Sequence, residues 1–373
     1  MLSVSAGLLL KSYERLRSTD MGCITENVLT MRISLPGARY RTPGPAPVDF
    51  FETLLQRVRA LPGVDATGFV TAVPGQGYWG DGFFRIVEHP PLPQGKGLYA
   101  ILRMADPGYF AALGIPFLRG HTFDDNQKLD RANEIIVSQS FARSYFPGED
   151  PIGKHLRAMG RHKFTIIGIV ADTRYAIGEK PQPTQYYPLF AGFDNNGTLV
   201  IRSSRDVERL ALPVQRIIQG LDRDLPVADV LTMNQLLSKY TFEDSFNAIL
   251  LSGFALLSLL LAAARLFGVL SYVVAQRTNE IGIRIALGAR REQVLGLMLL
   301  DGLRPALLGL VFGLAVSSAT VRVIHSMLYE TQPLNPAVFA CVTGLLLFVV
   351  IIACVAPAWH ASHLDPIRAL RSE

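Results

Sequence analysis

Hydrophobic positions change their period twice along this chain. Residues 1–10, MLSVSAGLLL, form an apolar run that stops at Lys11. Ten helical residues cover about 15 Å, roughly half a hydrocarbon core. The run has neither the basic start nor the small-residue cleavage site of a signal peptide. It predicts the back half of a transmembrane helix, a remnant over residues 1–12.

Between about 20 and 240 the periods of strand and helix alternate. VLTMRISL alternates as a strand and leads through a Pro/Gly-rich turn into the amphipathic helix VDFFETLLQRVRAL. A strand over VDATGFVTAV follows, then a loop rich in Gly and aromatics, GQGYWGDGFF. LYAILRMADP reads as a strand, PGYFAALG as a short helix, and EIIVSQSFARSYF as a strand running into a helix. HLRAM and FTIIGIVADT read as a hairpin and LVIRSS as a further strand. VERLALPVQRIIQGL reads as a helix interrupted by Pro213. Two strand–helix–strand units with later hairpins predict an α+β domain with split βαβ-like units.

From Thr241 the periodicity gives way to long apolar runs, about 246–275, 296–324 and 336–356. Each is long enough to cross a bilayer. The predicted fold class is therefore an α+β domain plus an α-helical transmembrane bundle of three full spans and a truncated first span.

A charged island, RTNEIGIRIALGARR at 277–291, separates the first two of these runs. Arg277, Glu280, Arg284 and Arg291 recur at intervals of three, four and seven, which on a helix makes one charged stripe. Glu280 and Arg284 then pair at i,i+4. Ile281, Ile283, Ile285 and Leu287 also alternate with period two, a strand signal. The helix is preferred because a short connector between membrane helices has no sheet to join, and Gly288 suits a C-terminal stop. Two readings stay open: a basic loop that orients the protein, and a docking element for a cytoplasmic partner.

Composition and charge refine the picture. The chain has 373 residues, 49% of them hydrophobic, and a mean hydropathy of +0.27, high for a soluble protein and low for a wholly intramembrane one. A net charge of +5 is accounted for by basic residues flanking spans and does not imply nucleic acid. Arg277, Arg284, Arg290 and Arg291 lie in one connection and Arg368 and Arg371 in the tail, whereas 326–336 contains no Lys or Arg. Orientation follows from that asymmetry. The 277–293 connection and the C-terminus are expected in the cytoplasm, and the large N-terminal domain in the periplasm or its equivalent. Cys23, Cys341 and Cys354 offer no disulfide framework, since two of them sit 13 apart in one helix-forming run.

Candidate chemistry is sparse. GEDPIGKH at 148–155 matches GxxxxGK, but His155 stands where a P-loop needs Ser or Thr, and Pro151 sits inside the loop. A turn entering a strand is the expectation there. HExxH, CxxC and GxSxG do not occur. His360 and His363 at i,i+3 have no further ligand type nearby, and Asp124 and Asp125 read as a solvated loop. No cofactor and no metal is expected, and no enzyme active site. Within the spans, Asp301 and Arg304 are positioned to pair near the cytoplasmic interface, and Arg322 to snorkel. Arg265, twelve residues before Arg277, lies some 18 Å up its helix, at about mid-bilayer.

With these residues laid out, the chain resembles the FtsX-like permeases of the macrolide-exporter type. The resemblance rests on QRTNEIGIRIALGARREQV, on the small-residue-rich second span and on the closing PAWHASHLDPIRALR. VLTMRISLPGARY, LLQRVRALPGVDATGFVTAVP and SQSFARSYFPGEDPIGK resemble that family's periplasmic core domain. The phrasing is similar to one half of a duplicated orphan permease. The resemblance implies a periplasmic core over 20–240 and an FtsX-like permease domain over 241–373. It also implies a connector that docks on a cytoplasmic ATP-binding-cassette ATPase. Mapped here, that connector engages through Arg277, Glu280, Ile281, Gly282, Arg284, Ala286, Leu287 and Gly288. Other implied partners are a second permease half or a homodimer copy, and membrane lipid. Alternative readings are a lipoprotein-releasing or cell-wall-hydrolase-regulating permease, and a membrane-anchored periplasmic interaction or sensor protein without transport. The sequence departs from the family at the half-present first span and at Arg265, where the family keeps Gly.

Overall fold

The structure is a computed structural model that describes residues 2–41, 44–77, 80–90, 97–124, 133–159, 162–189, 195–276, 296, 304, 307–318 and 336–362. The chain divides into two compact units, one of residues 19–242 and one of residues 1–18 with 243–373.

Among the described residues the first unit holds eleven strands. They begin with β1 Val28–Ser34, β2 Ala66–Val70, β3 Asp81–Ile86, β4 Leu98–Ala105 and β5 Phe117–Gly120. They continue with β6 Glu134–Ser138, β7 His155–Ala158, β8 His162–Val170, β9 Thr184–Pro188, β10 Asn196–Arg202 and β11 Val227–Thr232. Among the described residues the helices of the two units are α1 Leu2–Arg17, α2 Pro45–Arg59, α3 Pro107–Ala112, α4 Gln139–Tyr145 and α5 Ala211–Leu221. After these come α6 Met233–Tyr240, α7 Phe242–Gln276, α8 Leu307–Ser318 and α9 Pro336–Ser362.

Four strands in the order β11-β1-β10-β2 make an antiparallel sheet. Because β10 lies between β1 and β2, the β1-α2-β2 crossover is split, and β10-α5-β11 repeats it. This is the ferredoxin-like arrangement. In α2, Phe50, Phe51, Leu54, Leu55 and Val58 repeat at helical spacing and pack on Leu29, Met31 and Ile33 of β1. Pro45 at the first turn of α2 gives up an N–H that would have no partner there. The opposite face of the sheet carries Val28, Val70 and Val200 against Tyr109 and Phe110 of α3 and Met233 and Leu236 of α6.

Strands β3 to β9 form an insert between β2 and β10. They run β4-β3-β7-β8-β6-β9, and β9 pairs in parallel with β4, so six strands close on themselves. β5 adds to β8 beside β7. Inward alternation of Phe84, Ile86, Leu156, Phe164 and Ile166 fills the ring with side chains.

Several elements differ from expectation. Residues 81–84 of the loop expected over 75–84 lie in a strand: β3 is held by pairing with both β4 and β7, which overrides its Gly and Asp content. Pro213 does not interrupt a helix, because a short 3-10 turn Val207–Leu210 precedes it and α5 starts at Ala211. Pro213 therefore sits in the first turn, where its missing N–H costs nothing. The N-terminal helix, expected over residues 1–12, runs on to Arg17.

In the second unit α7 is 35 residues long, and its apolar stretch Ser245–Val273 spans 29 residues with 6% of its most apolar window buried. Among the described residues it is the one helix long and apolar enough to cross a membrane, by length and composition. Shorter apolar stretches are Leu307–Ser318 and Phe339–Ala353. Val4 and Leu8 of α1 pack on Val342 of α9, with Phe339 and Leu346 alongside.

Candidate functional site

The helical unit leads straight to the charged island. α7 runs unbroken to Gln276, whose amide donates to the Tyr272 hydroxyl one turn back at 3.3 Å. Arg277, Glu280, Ile281, Gly282, Arg284, Ala286, Leu287 and Gly288 all lie outside the described residues, as do Asp301, Arg322 and His363. Arg265 is exposed on α7, and Arg304 is helical and exposed.

Val4 of α1 and residues of α7, α8 and α9 line a cavity of about 340 Å³. Its walls are nearly all apolar, with Ala262 and Ala263 of α7 facing Gly309 and Gly313 of α8. The one hydroxyl there, Ser317, donates back to the Gly313 carbonyl at 2.7 Å and so offers the cavity no free donor.

The 148–155 segment is a turn into β7. Gly148 and Gly153 take φ of +79° and +81°, the left-handed region that favours glycine. A phosphate cradle needs free backbone N–H groups. Here those of Glu149, Gly153 and Lys154 donate to Phe146, Ile166 and Pro151 carbonyls, and Lys154 lies 3.9 Å from the Glu149 carboxylate. No phosphate site is built there.

Among the described residues two charged groups sit at full burial, neither foreseen from sequence. Asp106 caps α3, accepting from Gly108 N at 3.0 Å, from Phe69 N at 2.5 Å and from Arg59 Nη2 at 3.0 Å. Arg103 stands on β4 with its guanidinium 4.2 Å from the centre of the Tyr175 ring, donating to the Leu102 and Gly77 carbonyls. Around it, burial above all raises the Tyr109 and Tyr186 hydroxyls well beyond the ordinary phenol range. Burial, with Asp20 second, pushes the nearby Cys23 thiol up to about 12. With those shifts the two phenols and the thiol stay protonated at neutral pH. The only sequence signal for either charge was a polar residue inside an apolar strand or at a helix start. Among the described residues, no group of three or more His, Cys, Asp or Glu is placed to hold a metal ion.

With this geometry established, the chain can be set beside known proteins. Residues 1–234 match the MacB-like periplasmic core domain and residues 252–366 match the FtsX-like permease C-terminal domain. The chain belongs to the MacB/FtsX-type permease family. The macrolide export ATP-binding/permease protein MacB of Acinetobacter baylyi is 26% identical over 281 residues, 71% of this chain and 41% of that relative. The protein of the same name from an Azoarcus species is 29% identical over 283 residues, again 71% and 41%. The chain thus spans about two-fifths of the length of the curated relatives it matches. Among solved structures, the periplasmic region of MacB from Actinobacillus actinomycetemcomitans shares 15% identity over 61% of this chain and 98% of that one, with a TM-score of 0.40.

Proposed function

We propose that this permease is the transmembrane component of an ATP-binding-cassette export or mechanotransmission system. It sits in the cell's inner membrane and couples ATP hydrolysis by a separate cytoplasmic ATPase to movement of a periplasmic domain. The observation that carries the proposal is α7. It is a continuous helix, starting at Phe242 where the α/β unit ends and reaching Gln276 immediately before the charged island. At 1.5 Å per residue it is about 52 Å long, against a hydrocarbon core of roughly 30 Å. A helix without a break carries a displacement at Gln276, next to the island, to its other end. The island supplies the docking charge, with Arg277 and Arg284 as cations and Glu280 as the carboxylate. Gly282 and Gly288 permit close backbone contact with the ATPase.

In this reading residues 20–240 are the periplasmic core and 241–373 the permease domain. Three full spans, with α1 as part of a first, cross the membrane. A second permease half or a second copy completes the assembly, and lipid surrounds it. The chain contributes no catalytic group. A lipoprotein-releasing or hydrolase-regulating role would use the same lever with a different periplasmic load.

Topology tests this directly. In a background free of native cysteines, single cysteines at Ala289 and at Gln332 should react with impermeant reagent from opposite sides of the membrane. Labelling of both from one side contradicts the arrangement.

A further inference from the structure

We infer that the outer face of strands β4, β3, β7 and β8 is an interaction surface for an acidic polypeptide partner. Alternation along β3 turns Phe84 and Ile86 into the core and leaves Phe83 and Arg85 exposed. In β7, Leu156 and Ala158 point inward and Arg157 is exposed; in β8, Phe164 is inward and Lys163 exposed. The pairing register sets Arg85 directly opposite Arg157, and Arg157 directly opposite Lys163. Three cations therefore stand in one row across three neighbouring strands, at the sheet's spacing of about 4.8 Å. None of the three makes an ion pair among the described residues.

Beside the row, Phe83 lies opposite Tyr99 in the β3–β4 register. Their ring centroids are 6.1 Å apart at 69°, and the residues are 73% and 38% exposed. Like charges directly opposed across strands destabilise a sheet, and an exposed aromatic gives up its burial energy. Both features cost the isolated fold, and a second surface of matching chemistry that covers them would offset that cost.

The chemistry of that surface follows. Arginine forks pair carboxylates in two-point contacts, and an aromatic pair beside them supplies the apolar anchor common to protein interfaces. Two carboxylates lie near the same row. Glu88 is held by His155, two residues from Arg157, and Glu134 pairs in register with Thr165, two residues from Lys163. They would repel a continuous anionic surface such as a phospholipid bilayer. They accommodate a partner whose carboxylates are discrete and placed against the row. This inference stands apart from ATPase docking, which involves the island at 277–291.

The test uses the full chain in phosphatidylcholine nanodiscs. One probe is a labelled peptide containing glutamates and phenylalanines, followed by anisotropy; the other is phosphatidylglycerol vesicles, followed by flotation. The variants are Arg85→Ser, Arg157→Ser and Lys163→Ser combined, and Phe83→Ser with Tyr99→Ser. Circular dichroism and thermal melting verify the fold; the charge variant should melt no earlier than wild type. Peptide affinity should fall about tenfold or more in the charge variant, with loss of its salt dependence. It should also fall in the aromatic variant, with the salt dependence kept. Unchanged peptide affinity in a folded charge variant overturns the inference. So does vesicle capture that is stronger than peptide binding and lost in that variant, because it would make the face a membrane contact.

Discussion

At the residue scale, the α/β unit is tied by a few carboxylates whose partners are widely separated in sequence. Asp106 serves β2, α3 and α2 at once, through Phe69, Gly108 and Arg59. Replacing it with Ala strands the buried Phe69 N–H and removes the partner of a half-exposed arginine. We expect Asp106→Ala to cost about 2–4 kcal/mol, measured as a lowered urea midpoint with unchanged slope. Asp222 accepts from the Tyr40 hydroxyl at 2.9 Å and from Arg39 at 3.0 Å. The Tyr40 bond first, then backbone and Arg39 contacts, hold its carboxyl below the ordinary range despite desolvation. A depressed folded value means the stabilisation is present above the unfolded carboxylate's pKa of about 3.9 and is lost as pH falls through the lower folded one. Asp222→Asn should therefore flatten the stability–pH curve below about pH 4 and leave its shape near neutrality unchanged. A curve that parallels wild type at acid pH would show that Asp222 does not titrate with folding. Neither role was legible in the sequence, since beyond one local backbone N–H each carboxylate acts through residues 37 or more positions away.

At the scale of elements, the strands with clean alternation or a strong apolar run were legible. VLTMRISL became β1 and LYAILRMADP became β4, while FTIIGIVADT became most of β8. The strands that escaped lack that signal for identifiable reasons. β9, TQYYP, is buried at all five positions and so does not alternate. β11 takes Asp229 through φ 48° and shifts register against β1 between Thr30 and Arg32, which breaks its period. β3 hides behind turn-forming residues and is fixed by its neighbours. Close packing of elements also rests on single glycines. A Cβ on Gly68 would lie 2.2 Å from Tyr109 N and 2.5 Å from Gly108 C, both backbone atoms that cannot rotate away. Gly68→Ala should push α3 off β2 and lower the thermal midpoint by several degrees or more. An unchanged midpoint would mean that α3 does not pack there as described.

At the scale of the whole molecule, family membership joins a periplasmic-type α/β domain to a helical permease domain. The island was legible as a pattern of charge between apolar runs, while the set of coupling residues within it came from the family resemblance. Their geometry lies beyond the described residues, so their role rests on α7 and on charge. The central claim is that the island docks an ATPase rather than merely orienting the spans. Orientation depends on Lys and Arg and is indifferent to Glu280. Docking needs that carboxylate, and losing one partly buried charged contact at an interface costs about 2–5 kcal/mol, well over tenfold in affinity. The decisive measurement is pull-down of the partner ATPase by wild type, Glu280→Lys, and a control Glu330→Lys, all inserted in membranes at equal levels. The account predicts recovery with wild type and the control and its loss with Glu280→Lys; equal recovery in all three would contradict it.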